Sequence, residues 1–375
     1  MMRDPLETIV VQLGGQAFSG WSEVSVDYSV DQAARTASLK ISDFAGAMPF
    51  LPGTECVLTA GGDVLITGYV RDCKPQHDES SHSVELSIVS RTVDAVEASI
   101  DHPSGFVKDK DLLAIAREFD TGGIGIVGSE SFPKEPASFV NTGQSLFYHI
   151  EPLARSHGAL IYDTPEGELR IAKKPRGRHA GALSIGDGGN IISASATLTE
   201  RGRHSPVIVR GQSSKGGGAE ALRIEARAVD DGVQRKRPRI VVHESEATSA
   251  KLKDRAERQV KRASGYGRSA DVTVSGWRDA GGRIFEPHFL IRLADPRIYC
   301  DQDMAIQGVT LTQTIAAGGP GTRATLSLVD PSALNGEAGG AGGSKRAAGD
   351  AAPKDEAGLI DWSSPEVQAI VGTAK

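Results

Sequence analysis

The sequence predicts a mainly β protein with an α+β insert between two related β-modules. Three observations carry this. Strand-like alternation fills Thr8 to Asp43, the same texture returns from Ser269 to Val329, and the stretch between them changes to helical periodicity. A period of two over many positions marks strands with one buried and one wet face.

The opening stretch reads as three strands. Ile9, Val11 and Leu13 form the first, ended by a Gly14-Gly15 turn. Val24, Val26, Tyr28 and Val30 alternate with Ser25, Asp27 and Ser29 in the second. Ala37, Leu39 and Ile41 do so in the third. After the Pro52-Gly53 turn, Val57 and Thr59 begin a strand that turns at Gly61-Gly62-Asp63 and returns through Val64, Ile66, Gly68 and Val70. Residues 75–83 are polar and read as an exposed loop, and Val84, Leu86 and Ile88 form a further strand. Six strands in about 90 residues suffice for a small barrel or sandwich.

Near residue 92 the character changes. Leu112, Leu113, Ile115, Ala116 and Phe119 share one face of a helix over Asp109–Phe119, with Asp109 as N-cap. Thr142–His157 reads as a second helix with Pro152 inside it and Gly158 as the stop. A hairpin over Ala159–Tyr162 and Glu168–Ala172 follows.

The second module begins near Ile191. Its strands read as Ser193–Thr199, Pro206–Gly211, Leu222–Val229, Arg239–His243, Asp271–Val274, Leu290–Leu293, Ala305–Gln313 and Thr322–Val329. The Ser213–Gly218 loop and a basic helix near 247–263, stopped by Gly265, lie between them. The resulting division is 1–95 for the first module, 96–185 for the insert, 186–332 for the second module and 333–375 for a Gly/Ala-rich flexible tail. Within that tail, GLIDWSSPEVQAIVG regains apolar residues and reads either as a docking peptide or as a disordered end.

Composition bounds the function. At 375 residues the chain exceeds one hydrophobic core, and 39% hydrophobic with 24% charged residues is an ordinary globular balance. Cys56, Cys73 and Cys300 are odd in number and widely spaced, which argues against a disulfide scaffold and suits a reducing compartment. The N-terminus lacks a signal-peptide pattern, and no run of eighteen apolar residues predicts a membrane span. The net charge of −6 is unevenly spread. Residues 1–100 hold six Lys/Arg against fourteen Asp/Glu, and residues 201–262 hold sixteen against eight. Such asymmetry fits a solvated face or contacts between subunits of opposite sign.

Candidate chemistry is sparse. Gly123, Gly125 and Gly128 match G-x-G-x-x-G, but a helix precedes them and two prolines follow, so a nucleotide site is not expected. His243-Glu244 begins a zincin motif, yet Ala247 stands where the second His belongs. His77 and His82 lie in a polar stretch and read as solvated. The basic helix and the Gln234–Arg239 run lack interleaved aromatics, so no specific nucleic-acid binding is expected. No catalytic, cofactor-binding or metal-binding residue is assigned, no cofactor is implied, and an enzyme is not expected.

The run DVTVSGWRDAGGRIFEPHFLIRLADP resembles the baseplate hub proteins of Mu-like contractile-tailed phages, of the tail-tube-like superfamily. Gly276-Trp277, Gly282 and Pro287 match the family pattern, while Phe285 replaces a usual Trp and His288 a usual Asn. Val10–Asp43 with its Phe18–Trp21 element, Ser90–Ser99 and Met304–Asp330 resemble further family segments, so the resemblance spans about residues 6–332.

The resemblance implies two tail-tube-like β-barrel modules per subunit and a homotrimeric ring of pseudo-sixfold symmetry. That ring would join a hexameric tail tube to a trimeric central spike in the virion baseplate, after assembly in the bacterial host cytoplasm. Implied partners are the spike, the tube or adjacent baseplate proteins, and the tape-measure protein. The alternatives are the hub of a phage-derived injection machine or type VI-like secretion machine and, from another class, a tail-associated cell-wall hydrolase housed in 96–185.

Overall fold

The computed structural model describes residues 7–42, 49–79, 82–212, 224–243, 248–315 and 319–334. The Ser213–Gly218 loop and the tail beyond Leu334 lie outside these.

A five-strand unit occurs twice. The first copy comprises Glu23–Ser29, Thr36–Ser42, Glu55–Ala60, Asp63–His77 and His82–Ser90. The second comprises Ile191–Leu198, Arg268–Ser275, Phe289–Asp295, Cys300–Thr314 and Gly321–Val329. In each copy the strands lie in the order first, second, fifth, fourth, third. In each the fourth strand is 15 residues long. Its first half pairs with the third strand and its second half with the fifth. A register slip marks the change of partner, between Val70 and Asp72 in one copy and between Ile306 and Gly308 in the other. Aligned on these slips, the row Val24–Leu39–Leu86–Cys73 corresponds to Ala194–Val272–Leu326–Val309.

The switch of partners demands close approach. Gly68 pairs with both Cys56 and Ser90, and a Cβ there would stand 1.9 Å from the Val89 carbonyl oxygen. In the second copy the residue shared by both partners is Ala305, paired with Leu290 and Val329, which corresponds to Tyr69, the neighbour of Gly68.

The resemblance implies two β-barrel modules; the two copies share one 13-stranded sheet, and its strand path does not close among the described residues. The join is antiparallel pairing of Cys300–Thr314 with Glu23–Ser29, with Val309 opposite Tyr28. Because the outer edge of the fourth strand is used this way, both copies bury their apolar faces in one core. That core includes Val26, Leu39, Leu58 and Leu86 with Val272, Ile291, Leu311 and Leu326. The Ile9–Leu13/Gln16–Phe18 hairpin extends the sheet at one end, and Gly177–Ser184 adds in parallel to Phe289–Asp295.

Residues between the copies form a second core. Leu112, Ile115, Ala116 and Phe119 meet Leu146, Ile150 and Ala154 from the neighbouring helix. Asp111, rather than Asp109, caps the helix Leu112–Phe119 by accepting from Ala114 N at 2.8 Å. Asp109 instead lies in the strand Phe106–Lys110 with a left-handed φ of 54°. The helix Leu146–Ser156 starts later than the sequence suggested, and Leu160–Asp163 pairs with Leu169–Ala172 as expected.

Other sequence readings shift. Residues 75–77 and 82–83 are strand, because the long hairpin of the first copy runs through them. The second copy carries an insertion between its first and second strands, made of a three-stranded sheet and the helix Ser249–Tyr266. Gly265 does not stop that helix. It lies within it, where a Cβ would meet the Ala333 backbone at 2.2 Å. Order also continues past residue 332, since Ala333 and Leu334 are buried in the short helix Pro331–Leu334.

Candidate assembly interface and the clasp behind it

The described surface offers strand edges and a basic cleft. A buried ionic clasp stands where both five-strand units meet the insert. Arg35 lies in the short link between the first two strands and is fully buried. Its Nε donates to Asp163 Oδ1 at 3.0 Å, and its backbone N–H donates to Asp163 Oδ2 at 2.8 Å. Its Nη1 and Nη2 donate to the Glu286 carboxylate at 3.1 and 2.9 Å. The guanidinium lies 4.4 Å from the Tyr28 ring centroid, and the Tyr28 hydroxyl donates to Phe285 O at 2.7 Å. Burial works against the Arg35 charge, but Glu286 and Asp163 outweigh it and hold its pKa above the usual range. Burial pushes Asp163 up to about 6 against the pull of Arg35. A buried ion pair is stable only when its remaining donors are satisfied, and here they are spread over three chain segments.

The residues that carry the family resemblance serve as pins around this clasp. Trp277 Nε1 donates to Thr312 O and Arg323 O, both at 3.0 Å, tying the loop to two strands. Arg278 bonds Glu7, Asp63 and the Ala60 carbonyl, fastening that loop to the first unit. The hydrogen bonds it donates to the Glu7 carboxylate are the main influence holding its pKa high. His179 Nδ1 lies 2.8 Å from Asp279 Oδ2, and its Nε2 accepts from Glu286 N at 3.1 Å. His288 is buried with a left-handed φ of 62°, and its Nδ1 lies 3.1 Å from the Tyr162 hydroxyl.

The motifs weighed for chemistry have structural uses. In the glycine run, the N–H groups of Ile124 and Gly125 donate to the Asp120 carboxylate at 2.9 and 2.7 Å, and the strand Ile126–Val127 follows. Those donors are engaged, and the helix that a pyrophosphate would need is replaced by a strand. His243 Nδ1 lies 2.7 Å from Arg255 Nη1, and Glu244 falls outside the described residues. His77 pairs with His82 across the hairpin. No cluster of His, Cys, Asp and Glu suited to a metal occurs among the described residues. Nor is any described helix long and apolar enough to cross a membrane.

The basic residues divide. Arg239, Arg255, Arg258 and Arg262 line a cleft of about 720 Å³ against the end of the helix Leu146–Ser156. Arg258 donates to Ser156 O at 3.1 Å, and burial, then Arg255, lowers its pKa. Arg235 and Arg237 turn away to Glu200.

Sequence reasoning missed the clasp. Arg35 is 128 residues from Asp163 and 251 from Glu286, and none of the three stands in a motif. The only hint was positional, since Glu286 lies inside the run that carries the resemblance.

Comparison with known proteins follows the same outline. Residues 8–88 match the family model described as Mu phage baseplate assembly protein GpP-like, N-terminal. Residues 248–337 match the GpP fourth domain. The baseplate hub protein gp44 of Escherichia phage Mu is 23% identical over 304 residues, covering 76% of this chain and 78% of gp44. The 43 kDa tail protein of prophage MuSo2 from Shewanella oneidensis superposes with a TM-score of 0.76 at 26% identity, covering 88% of this chain and 99% of that one. A tail protein from Neisseria meningitidis MC58 gives a TM-score of 0.73 at 18% identity, with coverages of 89% and 100%. By its two matching domains, its similarity to gp44 and its fold, the chain is similar to the baseplate assembly and hub proteins of phage Mu and to Mu-like prophage tail proteins.

Proposed function

We propose that the protein is the central structural hub of a contractile tail baseplate. Three copies form a ring of pseudo-sixfold symmetry between a hexameric tube and a trimeric spike. The observation that carries this reading is the repeated five-strand unit with matching strand order and matching register slips. A trimer meets a hexamer without mismatch when each subunit presents two similar surfaces. The reading divides the chain into a first module (1–95), an insert (96–185), a second module (186–332) and a tail (333–375), with no catalytic role. The spike, the tube and neighbouring baseplate proteins are its partners, the tape-measure protein a further one, and the virion baseplate is its place.

The carboxylates of the insert support a structural role over a hydrolase. Asp111 and Asp120 bind backbone N–H groups, Asp163 holds Arg35, and Glu130 accepts from Lys174 N at 3.3 Å. Light scattering on the full chain tests the reading. A mass three times 39.4 kDa is expected for the chain alone, or a complex holding three copies when the cognate spike is present. A chain that stays monomeric with its spike present overturns it.

A further inference from the structure

We propose that the basic cleft is the docking site for an extended acidic segment of a partner protein, with Asp or Glu at alternate positions. The inference goes beyond the hub reading and holds whatever the number of copies.

Three elements build the cleft. Arg255, Arg258 and Arg262 follow one another at spacings of three and four on the helix Ser249–Tyr266, which sets them in one stripe. Arg239 shares a face of the strand Arg239–Val242 with Val241, and both line the cleft. Pro152, Leu153 and Ser156, at the end of the helix Leu146–Ser156, form the remaining wall.

These four guanidinium groups lack the counter-charge that other arginines have. Arg35, Arg203 and Arg278 are each held by a carboxylate. Among the described residues, Arg239, Arg255, Arg258 and Arg262 form no ion pair. Arg255 and Arg258 donate to uncharged acceptors, His243 Nδ1 and Ser156 O. The carboxylate that lines the cleft, Glu135, lies 2.9 Å from His157 Nε2 instead. Burial lowers the Arg258 pKa, Asp254 opposes this, and Arg255 adds to it. The cleft therefore holds positive charge that is partly desolvated and uncompensated. Charge-assisted hydrogen bonds to an arriving anion are strong in such a place.

The spread of the charges selects the occupant. Arg255 and Arg262 are about 10 Å apart along the helix axis, farther than one phosphate or carboxylate spans. The ligand must carry several negative charges in a line. In an extended peptide the residues of one face recur about every 6.5–7 Å, so two or three acidic side chains match the stripe. The volume of about 720 Å³ suits a few residues of chain rather than a folded domain. Pro152, Leu153 and Val241 give apolar walls to the residues between the acids. No Phe, Tyr or Trp lines the cleft, so it offers no platform for stacked bases. The planar fork of arginine suits a carboxylate pair by pair.

Fluorescence anisotropy on the full chain tests this, with a labelled decapeptide of alternating Glu and Thr and a control with Gln for Glu. Salt of about 0.15 M screens charges more than about 8 Å away. Only the Glu peptide is expected to bind. Arg239→Glu with Arg262→Glu is expected to weaken it roughly tenfold or more. Among the described residues neither side chain forms a hydrogen bond or ion pair, so none is lost. Arg239→Gln with Arg262→Gln is expected to weaken binding while keeping the parent's urea midpoint, which separates lost binding from lost folding. Lys253→Glu with Lys261→Glu changes the charge equally on the exposed side of the same helix, and binding is expected to stay as in the parent. A Glu peptide that fails to bind, or that binds the cleft variants as well as the parent, overturns the proposal. Tighter binding of a ten-nucleotide thymidine strand or of pyrophosphate at the same arginines also overturns it and assigns the cleft to phosphate. So does a change in the mass of the chain by light scattering when Arg239 and Arg262 are replaced, which assigns the cleft to a contact between copies.

Discussion

Arg35 Nε and Asp163 Oδ1, 3.0 Å apart and both sealed from solvent, join the first five-strand unit to the insert, and Glu286 extends the pair to the second unit. Removing one partner of a buried pair leaves uncompensated charge and costs about 3–5 kcal/mol. Arg35→Met keeps most of the volume and removes the donors. Its urea midpoint is expected to fall accordingly. A variant as stable as the parent would mean that the clasp contributes no net stability.

His288 gives a pH dependence with a definite sign. Burial pushes its pKa down to about 4 from 6.5, so the unfolded chain binds a proton that the native chain refuses between these values. Stability is therefore lost as pH falls from 6.5 towards 4, by about 3 kcal/mol at the limit. His288→Asn accepts the left-handed backbone and cannot titrate. Thermal unfolding at pH 7 and pH 5 is expected to show a smaller drop for the variant than for the parent. Equal drops would remove His288 as the cause.

Gly68 sits where a fourth strand changes partners, and its missing Cβ is a steric requirement. Gly68→Ala must push apart two ladders, because the Val89 carbonyl already occupies the space. Overpacking of this kind costs about 1–3 kcal/mol and occasionally more. Chemical denaturation should show that loss. An unchanged midpoint would mean that the strands separate there at no cost.

Much of the sheet was legible because each strand buries one face. Val24, Val26 and Tyr28, or Ala37 and Leu39, are buried in alternation as their spacing indicated. Where that signal fades, reading failed. Gly177–Ser184 holds three apolar residues among glycines and polar groups, and it is a strand because Phe289–Asp295 lies beside it. Residues 75–77 looked like a loop because Pro75 and the polar side chains after it show no apolar alternation, yet backbone pairing with 82–84 carries the hairpin through them.

The joining of the two units was hidden for a different reason. Alternation tells which face of a strand is buried and says nothing of which edge meets which. The Tyr28–Val309 contact is set by the packing of remote segments, as is the Arg35 clasp. The pins at Trp277 and Arg278 were legible as a pattern, but their work as hydrogen-bond donors to distant strands needed coordinates.

The pairing of residues 23–29 with 308–314 has a consequence for synthesis. Translation proceeds at about 5–20 residues per second, so the first strand waits roughly 15–60 s before its neighbour is made. Until then one edge of the nascent N-terminal unit lies open on the ribosome. The final zipping of N-terminal to C-terminal segments is a long-range closure, which topology makes slow. Assembly thus starts from chains that expose this edge last of all to be covered, and the time before release is when a wrong partner could take it.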